Sequence, residues 1–146
     1  MSTLRTPSSV DRVTPQRTDA VRAGITYFAV VFAAGFVLGT ARVILLAPRL
    51  GELLATVLEL PFMLAISWFA CGKLIARFQI PPRTEPRLTM GAVAFALLML
   101  AEVLLSVTLF NRSLNEFADA LTTSTGLLGL GGQVLFGLMP VIRRNE

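Results

Sequence analysis

The sequence predicts an all-α protein, a bundle of four helices that cross a membrane, and three observations predict this fold class. Of the 146 residues, 54% are hydrophobic and 15% are charged, whereas about 25% of the residues in a soluble domain are charged. The mean hydropathy is +0.70. Four apolar runs also approach the roughly 20 residues that a helix needs to cross the hydrocarbon core, where an open chain satisfies its backbone groups only as a helix.

The elements follow in order along the chain. Residues 1–22 are rich in Ser, Thr, Pro and Arg without an apolar period, which predicts a disordered cytoplasmic tail. The first apolar run is longer than the roughly 7–15 residue core of a cleaved signal peptide, so an uncleaved span is favoured. Residues 143–146 form a polar C-terminus. The predicted transmembrane domain, 23–142, has its four spans at about 23–46, 53–75, 88–110 and 124–142.

Three connections join the predicted spans. Residues 47–52 contain Pro48 and Gly51, two breakers that predict a tight turn. The second connection, 80–87, is a proline-rich segment that reads as a solvated link. In the third connection, apolar residues recur at helical spacing over 114–121, which predicts a short amphipathic helix lying on the membrane surface.

Arginine placement predicts the orientation of the bundle. Ten of the 13 basic residues lie in the N-terminal tail, around the second connection or at the C-terminus, whereas Arg49 and Arg112 alone lie in the first and third connections. Basic residues accumulate on the cytoplasmic side of membrane proteins. Both termini are therefore predicted to be cytoplasmic in a multi-pass protein of the bacterial inner (plasma) membrane.

Charged residues interrupt the first predicted hairpin. In two antiparallel helices that turn near residue 51, Arg49 is level with Glu52, and Arg42 is level with Glu59. The sequence therefore predicts a loop pair, Arg49–Glu52, and a deeper buried salt bridge, Arg42–Glu59. Isolated charges inside a membrane cost on the order of 3 kcal/mol or more, so such residues are expected to pair.

The third and fourth predicted spans add Glu102 and Gln133 to the same layer. If the polar stripe of each span faces inward, Arg42, Glu59, Glu102 and Gln133 form one intramembrane polar cluster. One arginine then faces two carboxylates. Either one glutamate carries a proton, or water or a bound partner compensates for the second charge.

Small residues and one proline complete the predicted contacts. Glycines in spans let neighbouring backbones approach closely, and five are predicted to pack helices: Gly35, Gly39, Gly126, Gly129 and Gly137. Pro61 is predicted to kink the second span, because it removes a backbone hydrogen bond. The carbonyl of Val57 is then free to accept a hydrogen bond from Arg42.

At these residues the chain resembles a family of small, uncharacterised bacterial inner-membrane proteins with four predicted spans. The resemblance is carried by "GFVLGTARVILLAPRLGELLATVLELPFM", residues 35–63, and more loosely by "FGLMP", residues 136–140. It implies a similar helical bundle. It implies no activity, cofactor or substrate.

The residues are compatible with three functions. The polar cluster is interpreted first as structural, because a buried Arg–Glu network fixes helix order and register. The alternatives are a small proton-coupled transporter or ion pathway that uses Glu59 and Glu102, and an accessory subunit of a larger membrane complex or a homo-oligomer. The chain contains no histidine and one cysteine, and no nucleophile motif or phosphate loop. We therefore expect no enzyme activity, metal, cofactor or nucleic-acid partner. The expected partner is membrane lipid, which surrounds the bundle.

Overall fold

The computed structural model describes residues 9–143, and side chains from residue 16 onward. Within this part of the chain the structure is helical and contains no strand, so the predicted all-α class is confirmed. Four helices in it are long and apolar enough to cross a membrane. The elements are α1 (Ser9–Ala41), a π-helical segment (Arg42–Leu46), α2 (Ala47–Leu50), α3 (Glu52–Arg77), α4 (Thr84–Thr108), α5 (Leu114–Leu121) and α6 (Ser124–Ile142).

The four long helices pack in the cyclic order α1, α4, α6, α3. Each helix has two close neighbours, so α1 and α6 lie on one diagonal of the bundle and α3 and α4 on the other. We call the end with the α3–α4 connection, residues 78–83, the closed end. The end with Gly51 and α5 is the open end.

The first helix continues into the turn through an irregular segment. The amide of Ala47 donates to the carbonyl of Arg42, five residues back, which widens the helix into a π turn. This turn lies directly before Pro48, whose ring would clash with the carbonyl of Ile44 in a regular α-helix. Gly51 then reverses the chain with φ 81° and ψ 160°, a conformation that only glycine adopts without strain. The predicted tight turn is therefore present.

The N-terminal segment differs from its prediction. Residues 9–22, expected to be disordered, belong to α1, while residues 1–8 lie outside the described residues. Ala20 and Ala23 are fully buried, and exposed Arg17 forms an ion pair with Glu85 at 3.0 Å. Packing against α4 thus supports a helix in a segment whose Ser, Thr and Pro content predicts disorder. The C-terminal residues 144–146 also lie outside the described part.

The buried core occupies the closed end. Tyr27, Met90 and Cys71 are completely buried there, and they pack with small residues of α1 and α4 and with Phe136 and Met139 of α6. Every long helix contributes to this cluster. The four helices are consequently held together over the half of the bundle that faces the α3–α4 connection.

A hydrogen bond across the diagonal joins α1 to α6. Pro140 lies inside α6, and because proline has no N–H, the carbonyl of Phe136 loses its intrahelical donor. The Tyr27 hydroxyl donates to this carbonyl at 3.1 Å, and its ring stacks on the Phe136 ring with centroids 4.4 Å apart. Tyr27 therefore satisfies a backbone group that Pro140 leaves open.

We expect Tyr27→Phe to lower the free energy of unfolding by about 1–3 kcal/mol, the cost of leaving a buried polar group without a partner. The measurement is thermal or denaturant unfolding of the purified protein in a mild detergent. Pro140→Ala is the matched background, because it restores an N–H to α6. In the Pro140→Ala background, Tyr27→Phe should lower the free energy of unfolding by clearly less. Equal losses in both backgrounds would contradict the role of Tyr27 as the donor to the Phe136 carbonyl.

The connection at the closed end is organised by a buried arginine. Arg87 is 3% exposed, although the predicted solvated link ends at this residue. Its Nε donates to the carbonyl of Pro81 and its Nη2 to the carbonyl of Ile80, both at 3.1 Å. A guanidinium carries five donors, which lets one side chain satisfy several turn carbonyls that have no helical partner. The link is thus folded onto the bundle, and α4 begins within it, at Thr84.

Candidate functional site

A cavity of about 680 Å³ lies between the four long helices in the open half of the bundle. Its walls include residues at the open ends of α1, α4 and α6, such as Thr40, Leu109 and Thr125, so the space reaches that end. Phe136 and Ser67, both buried, line it toward the core. The cavity is therefore a pocket with its base on the closed-end core.

Glycine placement explains why one half of the bundle is closed. An added Cβ on Gly24 would lie 2.6 Å from the carbonyl oxygen of Met90, and one on Gly91 would overlap the carbonyl of Gly137. The backbones of α1, α4 and α6 thus cross closely at the closed end. Gly137, one of the glycines expected to pack helices, lies there against Phe95, and Gly24 and Gly91 are further packing residues at this end.

The glycines of the open half have a different role. Gly39 has its nearest neighbour, a Glu59 oxygen, 3.8 Å from an ideal Cβ, and Gly129 has no atom within 4 Å. Both line the cavity, so the predicted close packing at Gly129 is wrong. Gly35 packs against the flexible end of Met63, and Gly126 packs on the backbone of α5. Gly39 and Gly129 therefore leave space, because no neighbouring backbone lies against them.

Arg42 and Glu59 form an ion pair on one side of the cavity. The Arg42 Nε atom lies 2.6 Å from Glu59 Oε2, and the two side chains are 22% and 15% exposed. Arg42 Nη1 also donates to the Thr56 hydroxyl at 3.4 Å, and that hydroxyl donates to the carbonyl of Glu52. The ion pair joins the π segment to α3, at the equal depth that the hairpin register predicts.

Glu102 and Gln133 form a second pair, between α4 and α6. Gln133 Nε2 donates to Glu102 Oε1 at 2.5 Å. The other amide atom, Gln133 Oε1, is buried without a hydrogen-bond donor among the described residues. Both side chains line the cavity. The predicted single cluster is therefore two pairs around one cavity, and the described residues show no ion pair between Arg42 and Glu102.

Two predicted contacts are absent from the turn region. Arg49 and Glu52 are exposed, and the ion pairs of the described residues do not include them. Equal depth sets the height of two side chains but not the direction in which each points, and the π turn rotates Arg49 relative to a regular helix. Arg42 donates to Thr56 rather than to the Val57 carbonyl, although Pro61 lies inside α3 and removes the N–H that would otherwise pair with that carbonyl.

The sequence did not predict the cavity, the Thr56 hydroxyl as a partner of Arg42, or the role of Tyr27 in the core. Thr56 lies three residues before Glu59 and therefore on the same face of α3. This spacing could have indicated Thr56 as a second partner of Arg42. Tyr27 belongs to the core beneath the cavity. Pro140 could have predicted that a side chain such as Tyr27 is needed there, since a proline in a helix leaves the carbonyl four residues earlier without its N–H donor. The cavity itself has no sequence signal, because it depends on which glycines face a neighbouring backbone.

No protein-family model, curated protein or solved structure matches the chain. Functional interpretation therefore depends on the chemistry of the cavity and its two polar pairs.

Proposed function

We propose that the chain is an integral protein of the bacterial inner membrane that binds a small, mainly apolar molecule in the open-end cavity. Membrane insertion is supported by the bundle exterior, where large apolar side chains such as Val37, Phe62 and Phe69 are more than half exposed. Water-soluble monomers rarely expose contiguous apolar surface of this extent. The basic residues of the termini and of the α3–α4 connection support a cytoplasmic closed end.

The observation that carries the binding proposal is the cavity. Its volume, about 680 Å³, lies within the range of roughly 300–1,000 Å³ that is usual for small-molecule sites. Such sites combine apolar walls with a few polar groups that orient the ligand. Here aromatic and aliphatic side chains surround Arg42, Glu59, Glu102 and Gln133. With the closed end in the cytoplasm, the pocket receives its ligand from the outer side of the membrane or from the outer leaflet.

The two polar pairs have different roles in this proposal. The Arg42–Glu59 ion pair is a structural element, because it neutralises its own charges and ties the end of the first helix to α3. The Glu102–Gln133 pair retains an acceptor atom without a donor and is the polar group available to a ligand. A structural network and a binding site thus share the same layer of the bundle.

Cysteine labelling in spheroplasts tests both the orientation and the opening of the cavity. Gly129 lines the cavity, whereas Gly131 lies on the exposed face of α6, and an added Cβ meets no atom within 4 Å at either position. We expect a membrane-impermeant maleimide to label Gly129→Cys from the outside and to leave Gly131→Cys unlabelled. A thiol facing acyl chains does not ionise readily, and the thiolate is the reactive form.

The native protein is the control, because its single cysteine, Cys71, is buried in the closed-end core. Labelling of Gly131→Cys as fast as Gly129→Cys would show that α6 does not face lipid at residue 131. Labelling of Gly129→Cys only after the cytoplasmic side is opened would overturn the proposed orientation.

A further inference from the structure

The charges around the cavity do not balance. Of the side chains that the structure describes, three ionisable ones line it, and they are Arg42, Glu59 and Glu102. The arginine is committed to Glu59, with Nε and Oε2 2.6 Å apart. Among the described residues, the hydrogen-bond partner of Glu102 is the neutral amide of Gln133, and no ion pair includes Glu102. When Glu102 is ionised, the cavity therefore holds one negative charge without a cation beside it.

Two acceptors lie together at Glu102, the carboxylate itself and the Gln133 Oε1 atom. Gln133 uses one of the two N–H donors of its Nε2 on the Glu102 carboxylate, and its Oε1 is left buried without a donor among the described residues. A carboxylate accepts hydrogen bonds at two oxygens, and an amide carbonyl accepts as well. The α4–α6 side of the cavity thus offers acceptors and a negative charge, and is complementary to a group that is positive or donates hydrogen bonds.

The rest of the wall is aromatic and aliphatic. Phe32, Phe36, Phe110 and Phe136 all line the cavity, together with leucines and Met63. Aromatic faces attract organic cations through the ring quadrupole, and the attraction increases when the cation is removed from water. An apolar body carrying a delocalised or ammonium-type charge therefore fits both parts of the wall.

We propose that the ligand is an amphiphilic organic cation whose charge pairs with Glu102 and whose apolar body packs among the phenylalanines of the cavity. This inference rests on the proposed binding function and adds the chemical class of the ligand. Glu102 is the specificity-determining residue in it, and Gln133 is a positioning residue that holds the carboxylate toward the cavity. An anionic amphiphile is disfavoured because it would bring a second unbalanced negative charge beside Glu102.

Binding of two probes of similar shape tests the ligand class. Tetraphenylphosphonium is a lipophilic cation, and triphenylphosphine oxide is a neutral molecule with three of the same phenyl groups. We expect equilibrium dialysis of the purified full-length chain in a neutral detergent to show saturable binding of radiolabelled tetraphenylphosphonium. In Glu102→Gln its Kd should rise about tenfold or more, the effect of losing one interaction with a charged group. The Kd of triphenylphosphine oxide should stay unchanged.

Each outcome separates the two proposals. If neither probe binds saturably to the native chain, the binding function itself is wrong. If the neutral probe binds as tightly as the cation, or if Glu102→Gln leaves the cation affinity unchanged, the cavity is a binding site but the assigned ligand class is wrong. Comparing the two probes on the native chain needs no variant, so the test holds even where Glu102→Gln folds poorly.

Discussion

Arg42→Ala should destabilise the bundle by about 3 kcal/mol, whereas Glu102→Gln should change the free energy of unfolding by about 1 kcal/mol or less. Removing Arg42 leaves the Glu59 carboxylate, 15% exposed, without its cation, and an uncompensated buried charge costs several kcal/mol. Glutamine at position 102 has the same shape and keeps a hydrogen bond to Gln133. Denaturant unfolding in a mild detergent and the fraction of protein inserted into the membrane measure the two changes.

The double variant Arg42→Ala/Glu59→Gln is the control for this difference. Because it removes both charges, it should recover part of the stability that Arg42→Ala alone loses. If Glu102→Gln prevented insertion while Arg42→Ala inserted normally, the structural role assigned to the Arg42–Glu59 pair would be refuted.

Gly91→Ala should destabilise the protein by about 1–3 kcal/mol, the usual cost of forcing extra atoms into a packed contact. A methyl group at residue 91 would overlap the carbonyl of Gly137, and this neighbour is backbone that cannot rotate away. The helices α4 and α6 would have to separate at the closed end. Thermal unfolding in detergent measures the loss.

Gly129→Ala is the matched control for Gly91→Ala, since it replaces another glycine within a helix of the same α4–α6 pair. No atom lies within 4 Å of an added Cβ at this position, and alanine is favoured over glycine inside a helix by up to about 1 kcal/mol. We therefore expect Gly129→Ala to be neutral or stabilising. Equal destabilisation by both variants would mean that the bundle packs equally closely along its whole length.

The two arginine–glutamate pairs of the first hairpin show which contacts can be predicted from the sequence. The register of a tight hairpin puts Arg42 level with Glu59, and the structure brings these two side chains together. The same register puts Arg49 level with Glu52, and those side chains do not pair. The difference is the π turn at Arg42–Leu46, which changes the rotation of the helix between the two arginines. Depth follows from counting residues, but facing direction depends on the local hydrogen-bond pattern.

The glycines show the same limit for packing. A stripe of glycine looks the same in sequence whether a neighbouring backbone lies against it or not. Gly137 meets a packed side chain, but Gly129, eight residues earlier on α6, faces a cavity. Only the crossing of α4 with α6 separates the two cases, because the distance between two helices increases away from their closest point.

The sequence alone determined that this chain forms long apolar helices, where the turns between them lie and that Arg42 and Glu59 are at equal depth. These properties depend on local composition and residue spacing, so they can be read without knowing any contact. The tertiary structure decided that a cavity opens between the helices at the open end and that Tyr27 donates to the carbonyl that Pro140 leaves without a donor. It also decided that Glu102, unlike Glu59, has no ion pair among the described residues. These features arise between segments distant in sequence, where small differences in helix rotation and crossing decide which side chains meet.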